Sequence, residues 1–307
     1  MNKLKTPHIS VMLDEVLKSL SPKSGETYLD CTFGAGGYTR AILESANCKV
    51  ISIDRDKNVE KYVNEVKKEF KDRFSFLYGK FSEVDKLLKQ INVEKVDAVI
   101  MDLGVSSMQL DEGNRGFSFN KEADLDMRMS EDGLSASEVV NSYKEDELAD
   151  IIYRYGDEKK SRQIAKKITE QRRKKRIETT TELANIVRSC FAGRGKTDNA
   201  TKTFQAIRIF INDELNELKK ALEISKKILN KGGRLIVVTF HSLEDKIVKD
   251  FLRKESGHLS RKKNKYAKQE EKFEFLLDIK KAVIVSDEET KNNIRARSAK
   301  LRVAIKA

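Results

Sequence analysis

Three acids, each closing an apolar run, mark where this chain can do chemistry: Asp30 after Tyr28-Leu29, Asp54 after Val50-Ile51-Ser52-Ile53, and Asp102 after Val99-Ile100-Met101. Asp30 leads through Cys31-Thr32-Phe33 into Gly34-Ala35-Gly36-Gly37, and an amphipathic stretch carrying Ala41, Ile42 and Leu43 begins near Thr39. The pattern predicts a strand, a tight turn and a helix start. Glycine suits a turn that takes positive φ or lies close against a ligand. A helix N-terminus behind such a turn offers free N–H groups and partial positive charge, which suits a nucleotide-like ligand. A glycine-rich connection without a ligand is the plain alternative. Asp54, twenty residues past Gly34, weighs against it, because a ribose-binding acid stands there in dinucleotide-type βαβ units.

A nicotinamide fingerprint, G-x-G-x-x-G, fails at its third glycine, where this chain has Thr39. An acid followed by a G-x-G turn is instead the usual opening of class I S-adenosylmethionine-dependent methyltransferases, with Asp54 left to hold the ribose hydroxyls. Two decoys fall away. Gly193-Arg194-Gly195-Lys196-Thr197 ends like a phosphate-binding loop, but Cys190 stands where its first glycine belongs. A nucleophile elbow, G-x-S-x-G, fails at Met108.

Beyond the fourth apolar run comes Asp102-Leu103-Gly104-Val105-Ser106-Ser107-Met108-Gln109, an acid, a glycine and hydroxyls at a strand's carboxyl end, where open α/β sheets bind ligands. Arg115-Gly116-Phe117 and Leu125-Asp126-Met127-Arg128-Met129 follow. Met127 and Met129 read as core under a long loop. Phe117 reads either as core or as a base-stacking ring. His241, just after the fifth apolar run, reads as a pocket residue or as structural.

The elements that must position these residues alternate. Strands are predicted at 27–31, 49–54, 73–78 and 96–102, and helices at 11–20, 38–46, 57–70 and 83–91, which means βαβ units and a parallel sheet. Helices near 136–153, 158–175 and 180–191 follow without a convincing strand. Phe204, Ile207, Ile211, Leu215, Leu218 and Leu222 then predict one long helix, and Arg234–Phe240 a buried strand. The expected organisation is a discontinuous α/β domain, 1–106 with 204–307, carrying an all-helical insert at 107–203. Runs at 275–285 and 298–305 fit an antiparallel pair at the sheet edge.

The 307 residues carry a net charge of +12 and a pI near 9.3, which favours a polyanionic partner. Ten basic side chains against one acid lie between Lys159 and Arg176, and Arg261-Lys262-Lys263-Asn264-Lys265 forms a second cluster. Solvated helix faces are the ordinary explanation; the density favours nucleic-acid phosphates. Cys31, Cys48 and Cys190 form no C-x-x-C pair and fit a reducing compartment rather than a disulfide or zinc scaffold. No apolar run reaches membrane-spanning length and no targeting segment is visible, so a cytoplasmic location and no membrane partner are expected.

At these residues the chain closely resembles the RsmH (MraW) family of 16S ribosomal RNA cytosine methyltransferases. The matching pieces are Asp30–Gly37, Ile53–Asp56, Leu103–Asp111, Arg115–Phe119, Leu125–Met129, Tyr155-Gly156, Thr203–Arg208, Phe240–Asp245 and Arg295–Ser298, in order along essentially the whole chain. The resemblance implies a class I (Rossmann-like) α/β methyltransferase that moves a methyl group from S-adenosylmethionine to the 4-amino group of a cytidine in the decoding region. Cofactor contacts would fall to Gly36, Gly37, Tyr38, Asp54, Phe81, Asp102 and Gln109. Substrate contacts are expected at Arg115, Phe117, Asp126, Arg128, His241, Arg172 and Arg173. Asp102, with Ser106 nearby, is the expected acceptor for the amine, and Asp102 as a cofactor ligand alone is the rival. No metal is expected. The partner would be 16S RNA within the small ribosomal subunit, with homodimerisation left open. The chain departs from the family at Tyr38, where histidine is usual, and at Met108, Asp124 and Ile294, where prolines are usual. A non-catalytic RNA-binding protein and a nicotinamide oxidoreductase are the rival functions.

Overall fold

The computed structural model describes residues 10–106, 108–109, 115–130, 132–193, 195, 197–257, 273–277, 279 and 281–307. The second basic cluster, Ser107 and 110–114 lie outside the described residues. The chain forms two compact units, Met1–Gly104 with Leu215–Ala307, and Val105–Glu214.

The first unit runs α1 (Leu13–Leu20), β1 (Thr27–Asp30), α2 (Gly37–Ser45), β2 (Lys49–Asp54), α3 (Glu60–Phe70), β3 (Phe74–Tyr78), α4 (Val84–Gln90) and β4 (Val96–Asp102). The second holds α5 (Ala136–Ser142), α6 (Glu145–Gly156), α7 (Ser161–Arg172), α8 (Thr180–Arg188) and α9 (Thr201–Ile211). The first unit resumes with α10 (Glu214–Ile228), β5 (Leu229–Thr239), α11 (Ser242–Glu255), β6 (Phe275–Leu276), β7 (Val283–Ile284), α12 (Asp287–Asn292) and β8 (Lys300–Lys306).

The sheet order is β3-β2-β1-β4-β5-β8-β6, with β7 also on β8. Strands β1 to β5 pair in parallel, and β8 runs antiparallel to β5. Both faces are covered, which is why β4 reads as an apolar run interrupted only at Asp97: Val96, Ala98, Val99, Ile100 and Met101 are fully buried. Each such Val or Ile stabilises the fold by about 1.5–3 kcal/mol. The winding direction reverses between β1 and β4, so the crevice at their carboxyl ends is the place where ligands bind in such sheets. Asp30, Asp54 and Asp102 all sit at that edge. The expected tail pair exists, although 275–285 contributes only two two-residue strands.

The helical unit packs around Leu125, Met127, Ile152, Ile164, Leu183, Phe204 and Ile207. Met127 and Met129 are core, as expected. Two predicted helices are broken in the structure. The 136–153 stretch divides at Tyr143-Lys144, where the Glu147 carboxylate accepts the Lys144 N–H at 2.8 Å and starts α6. The 204–222 stretch divides at Asn212-Asp213, where Asp213 takes φ +50°. Asn212 still donates its N–H to Arg208 O at 3.1 Å, while its side chain holds a neighbouring loop: Oδ1 accepts Met129 N–H at 2.8 Å and Nδ2 donates to Met127 O at 2.9 Å. The apolar period crosses that break because α9 buries Phe204 and Ile207 in the helical unit, whereas α10 buries Leu218 and Leu222 under the sheet. The unit boundaries consequently fall after Gly104 and Glu214 rather than after 106 and 203.

Candidate active site

The glycine turn is built from its anchors upward. Asp30 is fully buried, and its Oδ2 accepts the Thr39 hydroxyl at 2.7 Å while its Oδ1 accepts Thr32 N–H at 3.1 Å. Thr39 Oγ1 also lies 2.7 Å from Ser52 Oγ on β2. Burial raises the Asp30 pKa to about 6 although both threonines donate to it. Asp30 therefore ties β1, β2 and α2 together rather than facing a ligand. Thr32 passes the order on: its Oγ1 accepts Asp102 N–H at 2.8 Å.

Gly34 and Gly36 take φ +53° and +79°, which glycine permits without strain. A Cβ on Gly36 would meet the Phe33 ring at 2.9 Å, and one on Gly37 would meet Ser10 Oγ at 1.9 Å. Gly36 caps α2 without a side chain, so no side chain of its own covers the first-turn N–H groups. Tyr38 is buried, and its hydroxyl donates to Val11 O.

Asp54 accepts Gly34 N–H through Oδ2 and Asp56 N–H through Oδ1, both at 2.9 Å. Burial raises its pKa against those two donors. Each oxygen keeps a second lone pair, the requirement for receiving vicinal hydroxyls. Phe81, half-buried in the short 3₁₀ turn Phe81–Glu83 after β3, packs against the core beneath the sheet.

Asp102 carries the sharpest electrostatic signal. Its Oδ1 is buried with no hydrogen-bond partner among the described residues. Burial, then Asp30, Glu244 and Glu289, push its pKa well above the usual carboxylate range. A buried acceptor surrounded by acids calls for a cationic or hydrogen-bond-donating ligand.

His241 has a structural role. It caps α11, its Nδ1 accepting Glu244 N–H at 3.4 Å, while Glu244 Oε2 accepts Phe240 N–H at 2.8 Å and His241 N–H at 3.2 Å. Its Nε2 lies 3.0 Å from Glu244 Oε1 without hydrogen-bond alignment. Capping is the role these bonds support.

The remaining expected residues belong to the helical unit. Ser106 and Gln109 clasp each other: Ser106 N–H donates to Gln109 Oε1 at 3.1 Å and Gln109 N–H to Ser106 Oγ at 3.3 Å. Arg128 grips Asp126 with Nε and Nη2, at 2.9 and 2.7 Å. Burial raises Asp126, yet the Arg128 bonds outweigh it and hold the carboxyl below its usual range. Arg115 donates to the carbonyls of Arg128 and Met129, and its guanidinium lies 5.5 Å from the Phe117 ring centre. Phe117 is only 8% exposed and packs in the helical core. These bonds make Arg115, Phe117, Asp126 and Arg128 an internal brace, and base stacking on Phe117 has no support from its packing.

The basic block divides similarly. Arg172 is half-buried and donates to Val140 O at 2.8 Å, so it ties α7 to α5. Lys175 pairs with Glu182 and Lys167 with Glu170. Lys159, Arg162, Lys166, Arg173, Lys174 and Arg176 are exposed along and just beyond α7.

Ser10, Val11 and Glu289 were not expected at the site. No local pattern marks them, since Glu289 reaches Met12 across 277 residues of chain.

A model of the MraW methylase family matches residues 5–307. The chain is 54% identical over 309 residues to ribosomal RNA small subunit methyltransferase H of Rickettsia bellii (strain RML369-C), covering 99% of this chain and all of that one. It is 55% identical over 302 residues to the protein of the same description from Rickettsia conorii, covering 97% of each. With the glycine turn, the three strand-end acids and a match over nearly its full length, the chain belongs to the MraW methylase family.

Proposed function

We propose that this protein methylates the 4-amino group of one cytidine in 16S ribosomal RNA. The methyl donor is S-adenosylmethionine, which supplies an electrophilic methyl group on a sulfonium. The observation that carries the reading is the buried, unpartnered Oδ1 of Asp102 among Asp30, Glu244 and Glu289. A ligand bearing positive charge or an N–H donor suits that environment; an anionic one does not.

The residues fit the cofactor on two further counts. The Gly36-Gly37 turn leaves no room for a Cβ and presents the start of α2, and Asp54 keeps lone pairs for ribose hydroxyls. Gly36, Gly37, Tyr38, Asp54, Phe81 and Gln109 would hold it.

The target amine is a poor nucleophile because its lone pair is delocalised into the pyrimidine ring. An acceptor of its N–H bonds helps the nitrogen pyramidalise and takes the proton released as the N–C bond forms. Asp102, with Ser106 four residues on, fills that role. A cation beside Asp102 offsets the neighbouring acids and favours the carboxylate form, the form that accepts. Alignment of the two reactants supplies much of the remaining acceleration.

The exposed cations along and just beyond α7, Arg173 among them, are the proposed contact with RNA phosphates. The acceptor is read as RNA within the small subunit, encountered in the cytoplasm. No helix among the described residues is long and apolar enough to cross a membrane. Incubation with small subunits and methyl-labelled S-adenosylmethionine tests the reading. Label should enter 16S RNA; no label from either mature or partly assembled subunits would overturn it.

A further inference from the structure

The segment Ser10–Met12 lies directly against the glycine turn and is held there by three consecutive residues. Ser10 Oγ occupies the space that a side chain at Gly37 would fill. Val11 O accepts the buried Tyr38 hydroxyl. Met12, fully buried, takes φ +54°, a left-handed conformation that a methionine adopts only when its surroundings enforce it.

The enforcing bond comes from the far end of the chain. Met12 N–H donates to Glu289 Oε1 at 2.7 Å, from α12. Glu289 is half-buried, and its charge is among those felt by both Tyr38 and Asp102.

We infer that Glu289 is a positioning residue for the methyl donor: through the Met12 N–H it holds Ser10–Met12 across the turn and fixes the Gly37-Tyr38 start of α2. The inference rests on the reading of the turn as the S-adenosylmethionine site. Loss of the Glu289 bond frees the strap, so the turn must be ordered at the moment of binding and cofactor affinity falls. The chemical step and RNA docking, which use other groups, are left intact.

The test uses the full chain with S-adenosylhomocysteine as the calorimetric probe and S-adenosylmethionine as the varied substrate. Glu289→Ala should weaken probe affinity and raise the S-adenosylmethionine KM by about tenfold, the effect of losing one charge-assisted hydrogen bond, with kcat and the RNA KM within about twofold. Glu289→Gln retains an acceptor and should stay within about threefold of wild type. Glu289→Asp keeps the charge but shortens the reach to Met12 N–H by one methylene and should show the same KM-only loss, which keeps the inference testable if Glu289→Ala does not fold. Amide exchange at Val11 and Met12 should slow when the probe binds to wild type and respond less in Glu289→Ala. Wild-type affinity in Glu289→Ala, equal damage in Glu289→Ala and Glu289→Gln, or a fall in kcat at constant KM would each overturn it. Failure of wild type to bind the probe at all would instead overturn the cofactor reading.

Discussion

Thr39 stands where a nicotinamide fingerprint has its third glycine, and its hydroxyl donates to the buried carboxylate of Asp30 at 2.7 Å. One bond thus links the two departures from that fingerprint, the extra acid and the missing glycine. It also explains why the acid must precede the turn: Asp30 receives Thr39 from α2 and Thr32 from the turn itself, and Thr32 in turn receives Asp102 N–H. Asp54 and Asp102 are the acids proposed to face the ligand, and Asp30 sets the frame in which they stand.

Asp30 makes the stability of the ligand-free protein depend on pH in a defined direction. Its folded pKa of about 6 lies above the unfolded value of 3.8, so the folded state binds the extra proton between them. Its contribution is present below about pH 4 and is lost as pH rises through about 6, on the order of 3 kcal/mol in all. Asp30→Asn removes that dependence. Denaturant titrations from pH 4 to 7 should show the variant gaining on wild type as pH rises; a constant difference would contradict the assignment.

Gly116 takes φ +71°, and a Cβ there would lie 2.3 Å from Asp124 O, a backbone atom with little freedom to move. Gly116→Ala should destabilise the helical unit by about 2 kcal/mol or more, measured by denaturant unfolding. Binding of S-adenosylhomocysteine, most of whose proposed contacts lie in the sheet unit, should change far less.

If His241 only caps α11, an asparagine can replace it, because asparagine is itself a good N-cap. His241→Asn should keep kcat and both KM values within about threefold, whereas His241→Ala should lower stability by about 1 kcal/mol. A loss of kcat in the asparagine variant at unchanged stability would return His241 to the pocket.

The exposed cations along and just beyond α7 predict a salt effect. Arg162→Glu, Lys166→Glu and Arg173→Glu together should raise the RNA KM and flatten its dependence on salt, by about 0.7 in the log–log slope for each single-strand phosphate no longer neutralised. The S-adenosylmethionine KM should not move. An unchanged slope would make these side chains a solvated helix face. Arg172 is left out of the set because it ties α7 to α5.

The α/β alternation and the strand-end acids were legible because buried parallel strands read as apolar runs and three of the five here, β1, β2 and β4, end on an acid at the ligand edge. The helix period was legible too, but not its ownership. Phe204 to Leu222 keeps one period through Asn212, whose side chain serves the backbone of Met127 and Met129, a tertiary demand that no local pattern encodes. Phe117 looked like a ligand group because it is an aromatic beside a glycine and near an arginine, and Arg128 because it lies in one of the stretches that resemble the family; only packing reveals the Asp126–Arg128 grip and the Arg115 lid on Phe117. Glu289 was invisible for the simplest reason, its partner being at the other end of the chain.

Whether Asp102 receives the amine of a single cytidine is tested most directly by nucleoside mass spectrometry of 16S RNA. Small subunits are incubated with S-adenosylmethionine and either wild type or Asp102→Ala. Wild type should yield one 4-amino-methylated cytidine in the decoding region. The variant should lose that product while still binding S-adenosylhomocysteine measurably. Methylation at a ring carbon, a ribose or another base, or full product from Asp102→Ala, would contradict the role given to Asp102.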